Sequence, residues 1–189
     1  MKNIYEHMKK CKKDPIYFIE NHVKIIHYPE NTGAAMMASI GLIRLTDDQK
    51  KMIKSFLKNK DTELHFDRIV GKTTAEVAFL LWQDVFNQNQ TRVIIARKQQ
   101  NAIDILQLYR QLGNRLDGSF GWKVVKGGRT ELELENGNRL FAIGEASIDR
   151  IRSMAISTLV LDEFEYMDTD KIKQSIPSQV YMKKLALSS

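Results

Sequence analysis

Apolar residues recur along this chain at the spacings of amphipathic helices and of buried strands. Asp14-Pro15 has the form of a helix N-cap followed by proline, and it predicts a short helix over about Pro15–Val23. The run Val23–His27 predicts a strand. The segment Tyr28–Leu45 contains a proline and two glycines, so it is predicted to be mostly loop.

Three further helices follow from periodic apolar positions. Thr46-Asp47-Asp48-Gln49 fits a capping box, and the apolar stripe after it predicts a helix. The segments Lys72–Asn87 and Ile103–Leu116 also carry an apolar face. The apolar positions of the first two helices are Met52, Ile53, Phe56, Leu57, Val77, Ala78, Leu81 and Val85.

The strongest strand signals lie after the helix predicted at residues 72–87. Arg92–Ala96 is almost continuously apolar, as expected of a parallel strand covered on both faces. Asn136-Gly137 lies between Glu131–Leu134 and Arg139–Ala142 and signals a hairpin. A final buried strand is predicted at Thr158–Leu161. This order predicts an α/β fold: a mainly parallel sheet flanked by helices, with a β-hairpin insertion and a ligand site at the carboxyl edge of the sheet.

The composition permits this fold and narrows the function. The 189 residues, 43% of them hydrophobic, are enough to bury a core, and we divide them into an N-terminal helical and loop region at 1–45 and an α/β domain at 46–189. No apolar run has signal-peptide form or the length to span a bilayer, so we expect no secretion and no membrane partner. The single Cys11 argues against a disulfide framework or a Cys-rich zinc site. The net charge of +6 mildly favours a polyanionic partner, although paired lysines are more often solvated helix faces.

A glycine-lysine-threonine step opens the helix predicted at Lys72–Asn87. Backbone N–H groups at such a helix start offer partial positive charge to phosphates. Gly71 permits close backbone approach, Lys72 reaches the β- and γ-phosphates, and Thr73 ligates magnesium. The tetrapeptide ending at Thr74 also occurs by chance, but its place at the start of an apolar-faced helix favours a phosphate site.

About ninety residues downstream, an apolar run ends in Asp162 and Glu163. In a P-loop site that hydrolyses nucleotides, the first carboxylate holds Mg²⁺ and the second orients and deprotonates the attacking water. The alternative is a strand that simply ends in solvated acids. Because both motifs occur in this order and at this separation, binding and hydrolysis of ATP with Mg²⁺ is the leading hypothesis.

Further segments complete an ordered set of motifs over nearly the whole chain: Lys13–Ile19, Asp48–Lys50, Arg68, Lys72–Thr74, Leu132–Phe141, Ser147–Arg152 and Leu161–Phe164. The set resembles that of the large subunit of tailed-bacteriophage terminases, the motors that drive DNA into capsids. Single motifs are shared with many helicase-like ATPases, whereas the ordered set is fairly specific to terminases.

The resemblance implies a P-loop NTPase-type ATPase motor that uses ATP and Mg²⁺ in the cytoplasm of an infected bacterium. Its implied partners are double-stranded DNA, the portal protein and the small terminase subunit, in an oligomeric ring. Gln49 matches the family's adenine-sensing glutamine, and capping of the helix at Thr46 is the alternative. Arg68 matches an arginine that stabilises charge on the transferred phosphoryl group, and a surface arginine is its alternative.

Two features depart from the family's pattern. Phe66 stands where the phosphate loop usually has a small residue, and Asp67 adds negative charge beside it, so both are expected to weaken nucleotide binding. The strand before the loop is expected to be central and apolar, yet Thr62–Asp67 is largely polar. The chain also ends at Ser189, before the family's remaining strands and its nuclease domain, so we expect no DNA cleavage by this chain alone.

Three functions therefore remain open. The first is the ATPase motor portion of a terminase. The second is a helicase-like ATPase stimulated by nucleic acid, with the same loop and carboxylates. The third is a catalytically inert remnant that acts only through interactions, which Phe66 and Asp67 favour.

Overall fold

The computed structural model describes residues 2–27, 39–58, 61–65, 71–176 and 180–188. The helices are α1 Lys2–Lys13, α2 Pro15–His22, α3 Asp47–Lys58, α4 Lys72–Phe86, α5 Gln99–Gly113 and α6 Thr169–Ser175. The strands are β1 Lys24–His27, β2 Ser39–Leu42, β3 Asp61–His65, β4 Thr91–Ala96, β5 Val124–Gly127, β6 Glu131–Leu134, β7 Arg139–Gly144, β8 Ile156–Asp162 and β9 Val180–Ser188. Short 3-10 segments occupy Gly118–Phe120, Glu145–Ser153 and Phe164–Tyr166.

Seven strands form one sheet in the order β3-β9-β8-β4-β7-β6-β5. The five strands from β3 to β7 in this order are parallel, and β6 and β5 continue the sheet antiparallel. A separate pair, β1 and β2, is antiparallel. The predicted α/β architecture with a mainly parallel sheet is therefore confirmed.

Apolar side chains cover the central strands on both faces. On one face, Ile94 of β4 and Val160 of β8 belong to a cluster with buried residues of helices α1 to α5. On the other face, Val93 and Leu159 pack in a second cluster with residues from the Glu145–Ser153 segment and α6. This double burial explains why β4 and β8 are apolar almost without interruption. The division of the chain between residues 45 and 46 stays a prediction.

The local signals for helix caps and for the β6–β7 turn predicted the structure correctly. The Asp14 carboxylate accepts the Tyr17 N–H at 3.0 Å at the start of α2. Thr46 N–H donates to Gln49 Oε1 at 2.9 Å, and Gln49 N–H donates to Thr46 Oγ1 at 3.3 Å, which is the reciprocal geometry of a capping box. Gly137 has φ of +80° in the turn between β6 and β7, which pair antiparallel.

Several elements differ from the predictions. Elements α1, β2, β5 and α6 are not among those predicted from the sequence. Helix α5 begins at Gln99, four residues earlier than predicted, and ends at Gly113, where a Cβ would lie 2.2 Å from the Trp122 ring. Leu57 is 42% exposed, so the apolar stripe of α3 is narrower than predicted.

The position of β3 also corrects an expectation. Within the described residues β3 pairs with β9 alone, so it lies at an edge of the sheet rather than at its centre. Edge strands often carry charged residues, which fits Asp61 and Glu63 of β3. In the part of the chain that is described, no helix has the length and apolarity needed to cross a membrane.

Candidate functional site

The start of α4 has a conformation that requires glycine. Gly71 is the N-cap residue and has φ of +78° and ψ of +16°, in the left-handed region. The left-handed backbone disfavours residues with a Cβ, and a Cβ at this position would lie 2.9 Å from Gln49 Nε2, so the Gln49 side chain would have to shift. Lys72 follows as the first residue of α4 and is only 8% exposed, while Thr73 and Thr74 are half-buried in the same turn. The sequence thus placed this helix start correctly.

Gln49 connects the starts of α3 and α4. Its Nε2 donates to the Gly71 carbonyl oxygen at 3.1 Å, while its Oε1 accepts the Thr46 N–H at 2.9 Å. The capping role considered for Gln49 is therefore present, and it coexists with a contact to the glycine of the helix start. A role in binding adenine stays a prediction.

Strand β8 delivers Asp162 to the carboxyl edge of the sheet. Asp162 lies opposite Ala96, the last residue of β4, and is 8% exposed. Burial raises the pKa of the Asp162 carboxyl, and the Lys72 charge lowers it. Glu163 and Glu165 raise this pKa further. The structure therefore brings Lys72 of the helix start and Asp162 of the strand end within electrostatic reach of each other.

Glu163 turns the chain sharply after β8. Its φ of +56° and ψ of +43° are left-handed, which is uncommon for a residue with a Cβ. Such a conformation costs about 1–3 kcal/mol and concentrates at functional positions. It places the half-buried Glu163 between buried Asp162 and the Phe164–Tyr166 segment. The strand therefore ends in a left-handed turn in which Asp162 is buried and Glu163 is half-buried, rather than in two fully solvated acids.

A third acid, Glu76, belongs to the same site and was missed from the sequence. It is completely buried one helical turn after Lys72, and neither carboxyl oxygen has a hydrogen-bond partner among the described residues. Burial raises the pKa of Glu76 well above its ordinary value; Asp162 raises it further, and Lys72 lowers it. Glu76 is therefore protonated more readily than an exposed glutamate. Its signal in the sequence was a lone acid within the apolar face of α4.

A buried polar network fixes the far end of α4 against the sheet. Arg92 of β4 donates from Nε to Asp84 Oδ1 at 2.8 Å and from a terminal nitrogen to Thr158 Oγ1 at 3.1 Å. The Tyr109 hydroxyl of α5 donates to Asp84 Oδ2 at 2.9 Å. Burial raises the pKa of Asp84, and Arg92 and Tyr109 oppose that rise. The network joins α4 to β4, β8 and α5, so it sets the position of Lys72 relative to Asp162.

Other sequence-predicted residues fall elsewhere. Arg68, Phe66 and Asp67 lie outside the described residues. Arg152 lies in the Glu145–Ser153 segment and forms an exposed ion pair with Asp149 at 2.9 Å. An exposed pair of this kind contributes little to stability.

The fold of this chain is similar to that of several solved structures. The large terminase of bacteriophage HK97 superimposes with a TM-score of 0.70 at 19% identity, covering 94% of this chain and 37% of that protein. The large terminase of the thermophilic bacteriophage D6E gives 0.61 at 16% identity, covering 77% of this chain and 39% of that protein. The large terminase ATPase domain of Thermus phage P74-26 gives 0.60 at 16% identity, covering 77% and 70%. No family model matches the sequence.

The D6E terminase has also been solved in complex with ATP-gamma-S, and that structure matches with a TM-score of 0.56 at 17% identity. The chain spans 37% and 39% of the length of the HK97 and D6E terminases. The share is 70% for the isolated ATPase domain of P74-26. This chain therefore has the fold of the ATPase domain of bacteriophage large terminases.

Proposed function

We propose that this chain binds Mg-ATP at the carboxyl edge of its sheet and hydrolyses it as the motor portion of a DNA-packaging terminase. The observation that carries the proposal is the pairing of buried Lys72, at a glycine-capped helix start, with buried Asp162 at the end of β8. A buried ammonium group and a buried carboxylate beside a helix N-terminus suit the binding of an anion together with a cation.

The residues fit a magnesium nucleotide. The first N–H groups of α4 have no partner within the helix, and together with Lys72 they suit phosphate oxygens. The Thr73 hydroxyl and the Asp162 carboxylate are oxygen ligands of the kind that Mg²⁺ prefers. Magnesium held by these residues would offset the negative charge of the phosphates. Thr74 lies in the same turn, where it supports the phosphate-binding backbone.

Glu163 is the proposed general base. Its left-handed backbone, directly after Asp162, holds the carboxylate at the edge where the terminal phosphate binds. Here it orients a water molecule and takes its proton. Arg68 is proposed to stabilise charge on the transferred group. Gln49 is proposed to contact adenine, which requires it to exchange one of its hydrogen bonds to Thr46 or Gly71.

The proposed partners are those of a packaging motor. Double-stranded DNA is the translocated substrate, and the portal protein and the small terminase subunit are the assembly partners, with the chain acting in a ring in the bacterial cytoplasm. The fold supports the motor but is compatible with a helicase-like ATPase. Stimulation of turnover by double-stranded rather than single-stranded DNA distinguishes the terminase from that alternative.

Hydrolysis is tested by measuring phosphate release from Mg-ATP. Glu163→Gln keeps the shape of the side chain and removes the base, so it should retain nucleotide binding and lower turnover by several orders of magnitude. Glu135→Gln, at an exposed glutamate paired with Lys123, is the matched control and should stay within a few-fold of the natural chain. Equal turnover in the natural chain and Glu163→Gln removes Glu163 from the catalytic role, and absence of ATP binding supports the inert alternative.

A further inference from the structure

A second cluster of chemically reactive side chains lies between α1 and α2. His7 and Cys11 are one turn apart on α1, and His22 is the last residue of α2. Cys11 Sγ and one ring nitrogen from each histidine all lie within 4.8 Å of one another. Cys11 is completely buried, and both histidines are partly buried. No other group of three such ligands occurs in the described ranges.

Two of the three ligand distances are close to the edges of a metal tetrahedron. His7 Nε2 and His22 Nε2 are 3.0 Å apart, and Cys11 Sγ is 3.7 Å from His7 Nε2. Zinc–nitrogen bonds of about 2.0–2.1 Å and zinc–sulfur bonds of about 2.3 Å place tetrahedral ligands about 3.4 Å apart for two nitrogens and about 3.6 Å apart for nitrogen and sulfur. The ligand atoms of Cys11 and His22 lie within 4.8 Å of each other, so binding of an ion would require these two side chains to approach by at most about 1.2 Å.

The surroundings orient the ligands as a metal requires. The Tyr17 hydroxyl lies 3.4 Å from His7 Nδ1, so it can accept the Nδ1–H and leave the lone pair of Nε2 directed at the cluster. Trp82 Nε1 donates to the Cys11 carbonyl oxygen at 2.9 Å, which fixes that turn of α1 against α4. A cavity of about 540 Å³ adjoins His7 and His22 and is also lined by Asp117 and Ser119. The cavity gives a fourth ligand, water, access to the site.

We propose that His7, Cys11 and His22 bind a zinc ion, with water at the fourth position. Nitrogen and thiolate donors select zinc over magnesium or calcium, which prefer oxygen ligands. The ion joins α1 to α2 and so fastens the first helix to the core of the domain. A chain with a single cysteine cannot form a Cys-rich zinc site, but a zinc site that also has two histidine ligands needs only one cysteine. This site shares no residue with the proposed nucleotide site, so either can fail without the other.

The first test uses the tag-free chain, stripped of metal by a chelator under reducing conditions and titrated with Zn²⁺ and then with Co²⁺. We expect about one zinc ion per chain, a higher unfolding temperature with zinc, and a thiolate-to-cobalt charge-transfer band with the visible bands of tetrahedral Co²⁺. Absence of stoichiometric zinc binding, or a cobalt spectrum without the thiolate band, overturns the proposal.

The second test assigns the ligands. Cys11→Ser and His22→Gln should each weaken zinc binding by at least about tenfold, since each removes one ligand. His27→Gln, at an exposed histidine in β1, is the matched control and should bind zinc like the natural chain. Retention of full affinity in His22→Gln, or an equal loss in His27→Gln, overturns the assignment. The wild-type titration remains decisive where a variant fails to fold.

Discussion

Lys72 and Asp162 lie at the same edge of the sheet, and the charge of Lys72 lowers a carboxyl pKa that burial raises. Lys72 is the first residue of α4 and Asp162 is the last residue of β8, so the electrostatic interaction between them depends on how α4 packs against the sheet. Both side chains are 8% exposed. Burying two charges costs free energy that their mutual attraction offsets only in part, and the proposed magnesium nucleotide would add opposite charge beside each of them.

Glu76 should make the stability of the protein depend on pH. Its pKa is raised in the folded state, so the folded protein binds a proton that the unfolded chain has released. The contribution of Glu76 to stability is therefore greatest below the ordinary glutamate pKa and falls as pH rises toward the raised value, by at most about 1.4 kcal/mol per pH unit. Glu76→Gln carries no such charge, so its stability relative to the natural chain should increase with pH over this interval.

Urea unfolding at several pH values between 4.5 and 8, set by the ordinary glutamate pKa of about 4.3, measures this difference. Glu135→Gln, at an exposed glutamate paired with Lys123, is the control and should show little change in the pH dependence. A pH-independent difference between Glu76→Gln and the natural chain would show that Glu76 is not held in its neutral form.

Gly71→Ala should destabilise the protein by more than the strain of its backbone alone. The left-handed φ of +78° costs about 1–2 kcal/mol for alanine, and the added Cβ also lies 2.9 Å from Gln49 Nε2. Gly121→Ala is a matched control, because Gly121 has φ of +64° but no atom within 4 Å of its Cβ position.

Unfolding free energies of Gly71→Ala, Gln49→Ala and the double variant form a cycle that isolates the contact. We expect a coupling of about 0.5–3 kcal/mol, since removal of the Gln49 side chain relieves the clash. If the two substitutions change the unfolding free energy additively, the Gln49 side chain moves away from the added Cβ without a cost in free energy.

Arg92→Met should destabilise the protein by about 3–5 kcal/mol, because it leaves the Asp84 carboxylate buried beside Tyr109 without its cation. The double variant with Asp84→Leu removes both charges and should recover much of that loss. Thermal unfolding of the two variants checks the prediction. A double variant no more stable than Arg92→Met would show that the pair itself, rather than an orphaned charge, stabilises the fold.

The parts of the site that could be predicted were those encoded by neighbouring residues. The capping box at Thr46, the helix start at Gly71 and the strand ending at Asp162 each depend on a few consecutive side chains, and all three lie where the sequence placed them. Strands β4 and β8 could also be predicted, because each is an almost unbroken apolar run. Their successive residues pack alternately in the two core clusters, and a strand covered on both faces has few polar positions.

What could not be predicted depends on contacts between distant segments. The bond from Gln49 to Gly71 and the approach of Glu76 to Asp162 each join separate elements, and no local spacing encodes them. Helix α1 was missed because no N-cap signal marks its start and five of its 12 residues are lysines. Strand β3 was assigned to the centre of the sheet from its place before the phosphate loop, whereas its one neighbour among the described strands is β9.

Calorimetric titration of the chain with Mg-ATP measures whether Lys72 binds the phosphates of the nucleotide. The natural chain should bind, Lys72→Ala should bind at least about tenfold more weakly, and Lys54→Ala, at an exposed lysine of α3, should bind like the natural chain. Asp162→Asn should lose the part of the affinity that depends on magnesium. Equal affinities of the natural chain and Lys72→Ala for Mg-ATP would contradict the account.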